Sequence, residues 1–127
     1  MNKLRLIKKN LTIISNDKNE SRHIGISLRN LGHNIYHYDD NIKFLNSNSI
    51  ENIDLILVDL DNSNLNYKEF YNELIDLGYN RKIKIIAMSY NQKFESLVIY
   101  KGYNDFILKP LNIDGISARI QKIFHTE

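Results

Sequence analysis

Apolar residues along this chain follow two alternating patterns: short unbroken aliphatic runs, and longer stretches in which they recur every three or four positions. The unbroken runs lie at residues 11–15 (LTIIS), 54–61 (DLILVDLD), 82–88 (KIKIIAM) and 105–108 (DFIL). Aliphatic and β-branched runs of this length, without polar alternation, predict strands buried on both faces, as in a parallel sheet covered by helices. Residues 34–38 (NIYHY) alternate weakly between Gly32 and the Asp39-Asp40 pair, which predicts one further strand, at an edge. The helical spacing falls between the strands. Residues 19–31 place Ile24, Leu28 and Leu31 on one face and stop at Gly32, despite Gly25 inside. Residues 40–49 carry Ile42 and Leu45, with Asp40 as N-cap. Residues 67–77 align Phe70, Leu74 and Leu77 before Gly78, and residues 92–101 hold Phe94, Leu97, Val98 and Lys101 before Gly102. Pro110 ends the last strand because it cannot donate to a ladder. Residues 112–124 follow, with Asn112 as N-cap and Ile113, Ile116, Ile120 and Ile123 as the apolar stripe.

Strict alternation of five strands with five helices predicts an α/β fold with a doubly wound parallel sheet, since parallel crossovers need an intervening element. In such sheets ligands bind beyond the carboxyl ends of the strands. The polar residues at those ends are Asn16 and Asp17 after the first strand, Asp59 in the third, Ser89 after the fourth and Lys109 after the fifth. Any one of them alone could be a loop cap. Two acids, a hydroxyl and an ammonium at one edge form an arrangement with chemistry available to it.

Composition narrows the class. The chain has 127 residues and is 43% hydrophobic, enough for one domain with a real core and too little for two. The expected organisation is a basic arm over residues 1–10 and a single domain over 11–127. A formal charge of +2 from 17 basic and 15 acidic side chains makes neither nucleic acid nor an acidic membrane an expected partner. There is no cysteine, hence no disulfide or thiolate metal site, and no apolar run approaches the ~20 residues that cross a bilayer. The start, MNKLRLIKKN, is basic without a secretory apolar stretch, so a cytoplasmic protein is expected. The four histidines are scattered over different elements and read as surface or packing residues.

Two carboxylates on neighbouring loops make a hard oxygen site that suits Mg2+. A free Asp59 oxygen could then attack phosphorus and form an aspartyl phosphate. Lys109 and Ser89 would supply donors to the other phosphoryl oxygens. The ordered set Asn16-Asp17, Asp59, Ser89 and Lys109-Pro110 resembles the receiver domain of two-component response regulators, in its single-domain, chemotaxis-receiver-like form, over nearly the whole chain. The resemblance implies a flavodoxin-like strand order 2-1-3-4-5, with Asp59 as phospho-acceptor and Asp17 as the direct acidic Mg2+ ligand. Asn16 falls at the second acidic position, and the Asp61 backbone carbonyl becomes a further metal ligand. Ser89 matches the phosphoryl-binding hydroxyl, Lys109 the lysine before a cis-prone proline, and Phe106 the aromatic switch position. The implied role is a phosphorylation-controlled switch rather than an enzyme. Its expected partners are a sensor histidine kinase or phosphotransfer protein and a downstream protein, with a homodimer through the last helix-strand-helix face, where Tyr100, Tyr103 and Phe106 cluster.

The chain departs from the family pattern in several places. Asn16 removes one acid and Asp61 returns a charge nearby, while Asn62-Ser63 replaces the usual Met-Pro. The interval from Ser89 to Lys109 is shorter than usual. Tyr90 stands where a small residue is common, which places a ring able to screen the acceptor. These departures keep a second reading open: a pseudo-receiver that binds partners without phosphorylation. A flavin or nucleotide binder fits poorly, because the first loop (NDKNE) is acidic where a phosphate cradle is glycine- or hydroxyl-rich.

Overall fold

The computed structural model describes residues 8–47, 52–61, 65–79 and 82–125. Strands and helices alternate among the described residues: β1 (Asn10–Ile14), α1 (Glu20–Asn30), β2 (Asn34–Tyr38), α2 (Asn41–Leu45), β3 (Leu55–Asp59), α3 (Tyr67–Asp76), β4 (Lys84–Ser89), α4 (Phe94–Lys101), β5 (Asp105–Leu108) and α5 (Ile113–His125). All strand pairs are parallel, in the order β2-β1-β3-β4-β5. This is the expected doubly wound sheet.

The aliphatic runs make the centre of the sheet because each strand has a hydrophobic layer on both sides. Every residue of β3 is buried. Leu55 and Leu57 point into one layer with Leu28 of α1 and Ile116 and Ile120 of α5. Ile56 and Val58 point into the other, with Phe44, Phe70, Leu74 and Val98 from α2, α3 and α4. Fully burying one such aliphatic side chain is worth roughly 1.5–3 kcal/mol, so the two layers fix which way Asp59 faces when β3 ends. The edge strand β2 has no buried residue, as its weak alternation predicted.

Differences from the sequence expectation concern helix faces and ends. In α2 the buried apolar residue is Phe44, whereas Ile42 is 63% exposed. The cause is the cap: the Asp40 carboxylate accepts from the Lys43 N–H at 2.7 Å, and that phase turns Phe44 onto the rings of Tyr38, Phe70 and Tyr79. The helix is shorter than expected, and the end of its predicted span lies outside the described residues. Leu77 is exposed because α3 has already ended when the chain reaches it. In α4 only Val98 is buried, and Leu97, Ile99 and Tyr100 face outward. Gly102 closes α4 at φ 132°, where a Cβ would meet the Tyr71 ring, so glycine is required twice over. The basic arm also ends sooner than expected. Asn10 begins β1, the Lys9 N–H donates to Nδ1 of the buried His33 at 3.0 Å, and the Lys9 ammonium lies 4.5 Å from the Phe124 ring centroid.

Candidate functional site at the carboxyl edge of the sheet

Strand register decides which residues meet. Ile14 pairs with Val58, so the next residue of each chain segment, Ser15 and Asp59, stand side by side at the carboxyl edge. The Ser15 hydroxyl donates to Asp59 Oδ2 at 2.8 Å. Ser89 pairs with Leu108, and the Lys109 N–H donates to the Ser89 carbonyl at 2.8 Å, which brings the Lys109 side chain over the end of β3. The Lys109-Pro110 peptide is cis.

The Lys109 ammonium is the hub. It lies 2.8 Å from Asp59 Oδ1, 3.2 Å from Asp61 Oδ2 and 3.8 Å from Glu20 Oε1. Both Asp59 and Lys109 are almost fully buried, so this pair is poorly screened by solvent. Burial alone would lower the Lys109 pKa, but the hydrogen bonds and charges of Asp59 and then Asp61 outweigh it and hold the pKa above its ordinary value. Burial would raise the Asp61 pKa. Its hydrogen bonds from Ser89 and the Tyr90 N–H, together with Lys109, bring it below the ordinary value instead.

The sequence-predicted residues divide into two groups. Asp59, Ser89 and Lys109 come together, and Asp61 joins them. Its backbone N–H donates to Asp59 Oδ1 at 2.9 Å, while its carboxylate receives the Ser89 hydroxyl at 2.7 Å. The Tyr90 ring is exposed, with the Lys109 ammonium 5.3 Å from its centroid. Phe106 is turned into the core beneath the site. Asn16 is exposed. Asp17 is used elsewhere: its Oδ1 accepts from the N–H groups of Asn19 and Glu20, both at 3.0 Å, and so caps α1.

Two participants were missed from sequence. Ser15 was read as the last strand residue, yet it is the β1 group that touches Asp59. Glu20 was read only as helix, yet Oε2 accepts the Leu111 N–H at 3.1 Å and Oε1 faces Lys109. The available signal was an acid in the first turn of the helix that follows β1, which stands at the same edge of the sheet; its side chain does not close a capping box, since the Asp17 N–H donates to Ser15 Oγ.

The donor set was tested against the Mg2+ that the resemblance implies. Among the described residues no group of three or more His, Asp or Glu side chains is placed to hold a metal ion. A hydroxyl, not an acid, touches Asp59 from β1, Asp17 is engaged by the α1 backbone, and an ammonium already lies within 3.8 Å of Asp59, Asp61 and Glu20. The acidic pair that the resemblance calls for is therefore not assembled beside Asp59: Ser15 occupies that place and Asp17 caps α1.

The fold defines the class as a doubly wound, flavodoxin-like α/β domain. No family model matches the chain, and no curated protein matches it. Solved structures do. A response regulator from Desulfuromonas acetoxidans superposes at TM-score 0.76 with 21% identity, covering 93% of this chain and 98% of that one. The Francisella response regulator 1452 receiver domain gives TM-score 0.79 at 18% identity, with coverage of 93% and 98%. A chain of the CheX–CheY–BeF3–magnesium complex from Borrelia burgdorferi gives 0.79 at 18% identity, with coverage of 91% and 89%. At these identities the likeness is one of fold. No helix among the described residues is long and apolar enough to cross a membrane.

Proposed function

We propose that the chain is a receiver-type signalling module that acts by binding protein partners without phosphorylation of Asp59. The observation that carries this reading is the group that β1 gives to Asp59: the Ser15 hydroxyl, not an acid, touches it, and Asp17 is taken up by the α1 backbone. Transfer of a phosphoryl group to a carboxylate brings anions together and depends on neutralising that charge. Here Lys109 is already shared by Asp59, Asp61 and Glu20. The surface for a partner is the face of α4 and β5, where Leu97, Ile99, Tyr100 and Leu108 are exposed.

One observation favours a second reading, a phosphorylation-controlled switch served by a histidine kinase or phosphotransfer protein and by Mg2+. Asp59 ends the central strand with the Lys109 ammonium 2.8 Å away, as an acceptor would. Incubation with Mg2+ and a small phosphodonor, read by intact mass, separates the two. The expected result is no phosphoryl adduct. An adduct that is absent in Asp59→Asn establishes the switch and overturns the proposal.

A further inference from the structure

A cleft between α1 and the edge strand β2 shares no lining residue with the Asp59–Lys109 network. Its volume is about 340 Å³, at the lower end of the range for small-molecule sites. Ser21, Gly25 and Arg29 stand four residues apart on α1 and therefore share the helix face that lines it. The outer two reach β2. The Ser21 hydroxyl donates to the Asp17 carbonyl, and its oxygen lies 3.1 Å from His37 Nε2, while Arg29 Nη2 lies 3.5 Å from the Ile35 carbonyl. The middle residue has no side chain, so the cleft opens between these two contacts and reaches Ile13 of the core layer.

Packing does not require glycine at this position. A Cβ on Gly25 would meet Ile13 Cδ1 and Ile35 Cγ2 at 3.6 Å each, an ordinary contact distance. Glycine inside a helix costs stability relative to alanine, so its effect here is to keep space open while weakening α1. The cleft is also cationic. Lys18, Arg22 and Arg29 line it, and among the described residues none of the three has a carboxylate partner. The acid in the lining, Asp39, already faces Lys43 at 3.7 Å and His37 at 3.9 Å. Isoleucines beside unpaired cations are the lining that an amphiphilic anion needs.

We propose that this cleft binds a small organic anion, with an aromatic or branched aliphatic body over Gly25 against Ile13, Ile26 and Ile35, and one carboxylate, sulfonate or phosphate met by Lys18, Arg22 and Arg29. The site goes beyond the proposed function and does not depend on it, because Asp59 and its neighbours take no part in the lining.

Anilinonaphthalene sulfonate is the probe, and phenylnaphthylamine supplies the same rings without the anionic group. Fluorescence titration at constant ionic strength gives the affinities, and the backbone amide signals of Gly25 and His37 locate the ligand. The sulfonate should shift both amides and bind at least about tenfold more tightly than the neutral amine, about 1.4 kcal/mol. Arg22→Gln/Arg29→Gln should remove that preference. Gly25→Ala should raise the Tm by about 3 °C while weakening both probes, a combination that a glycine needed only for folding would not give. Gly25 and His37 amides unmoved by the sulfonate, equal affinity for the two probes, or a preference that survives the arginine double variant overturns the proposal. A lower Tm in Gly25→Ala overturns the role given to Gly25. The phosphodonor experiment bears on Asp59 alone, so either result can fail without the other.

Discussion

Replacing Lys109 by Met keeps most of the side-chain volume and removes the ammonium that lies 2.8 Å from Asp59 Oδ1. The consequence follows from burial. Asp59 is 3% exposed and would keep two neutral donors, the Ser15 hydroxyl and the Asp61 N–H, but lose its countercharge. Removing one partner of a buried ion pair generally costs about 3–5 kcal/mol, because the remaining charge is left uncompensated. The two surviving hydrogen bonds place this case near the lower end, about 3 kcal/mol. For a chain of 127 residues this corresponds to a Tm drop of roughly 10 °C. Urea unfolding of wild type, Lys109→Met, Asp59→Asn and the double variant measures it. The double variant should be less damaged than the two single losses added together, with a coupling of about 2 kcal/mol. A loss below about 0.5 kcal/mol in Lys109→Met, or a coupling near zero, would refute the claim that this pair organises the site.

Stability should fall in acid as Asp61 takes up a proton. Its folded pKa lies below the ordinary 3.8, so its contribution is present above 3.8 and is lost as pH falls through the folded value; Asp61→Asn should flatten that part of a urea midpoint–pH curve. Lys109 acts at the other extreme. Its folded pKa lies above 10.5, so its contribution is complete below 10.5 and is lost only as pH rises through the folded value, which Lys109→Met should abolish. Wild-type Tm should be indifferent to Mg2+, whereas Ser15→Asp sets a second carboxylate against Asp59 and should become Mg2+-dependent. Saturation a hundredfold above its Kd would add about 2.7 kcal/mol to that variant, and an unresponsive Ser15→Asp would show that Lys109 excludes the ion even from a rebuilt acidic pair.

The legibility of the chain follows the physics of each signal. Buried strands were readable because continuous aliphatic runs have few alternatives, and 105–108 matches β5 residue for residue, while the weakly alternating edge run 34–38 matches β2 through its flanking turn residues. Helix faces were less readable where polar caps set the phase: Asp40 turns Phe44 inward and leaves Ile42 in solvent. The expected grouping of Asp59, Ser89 and Lys109 follows directly from strand ends in a parallel sheet. Asp17 does not, because a carboxylate two residues beyond Ser15 can serve either the site or the first turn of a helix. The pairing of Ile14 with Val58, which only the folded sheet displays, gives Ser15 to the site and Asp17 to the helix.

That single register has consequences for the charge of the whole edge. With a hydroxyl rather than an acid beside Asp59, the neighbouring negative charges come from Asp61 and Glu20, which approach Lys109. The lysine therefore satisfies an internal network whose third member, Asp61, also binds Ser89 and the Tyr90 N–H. One ammonium among three carboxylates leaves the edge net negative, so an incoming phosphoryl anion is repelled unless further positive charge is supplied. The Asp61 contact also reaches the entry to α4, because the Ser89 oxygen that donates to Asp61 accepts the Asn91 N–H. The phosphorylation-independent reading proposed above thus rests on this register, which gives Ser15 rather than an acid to Asp59.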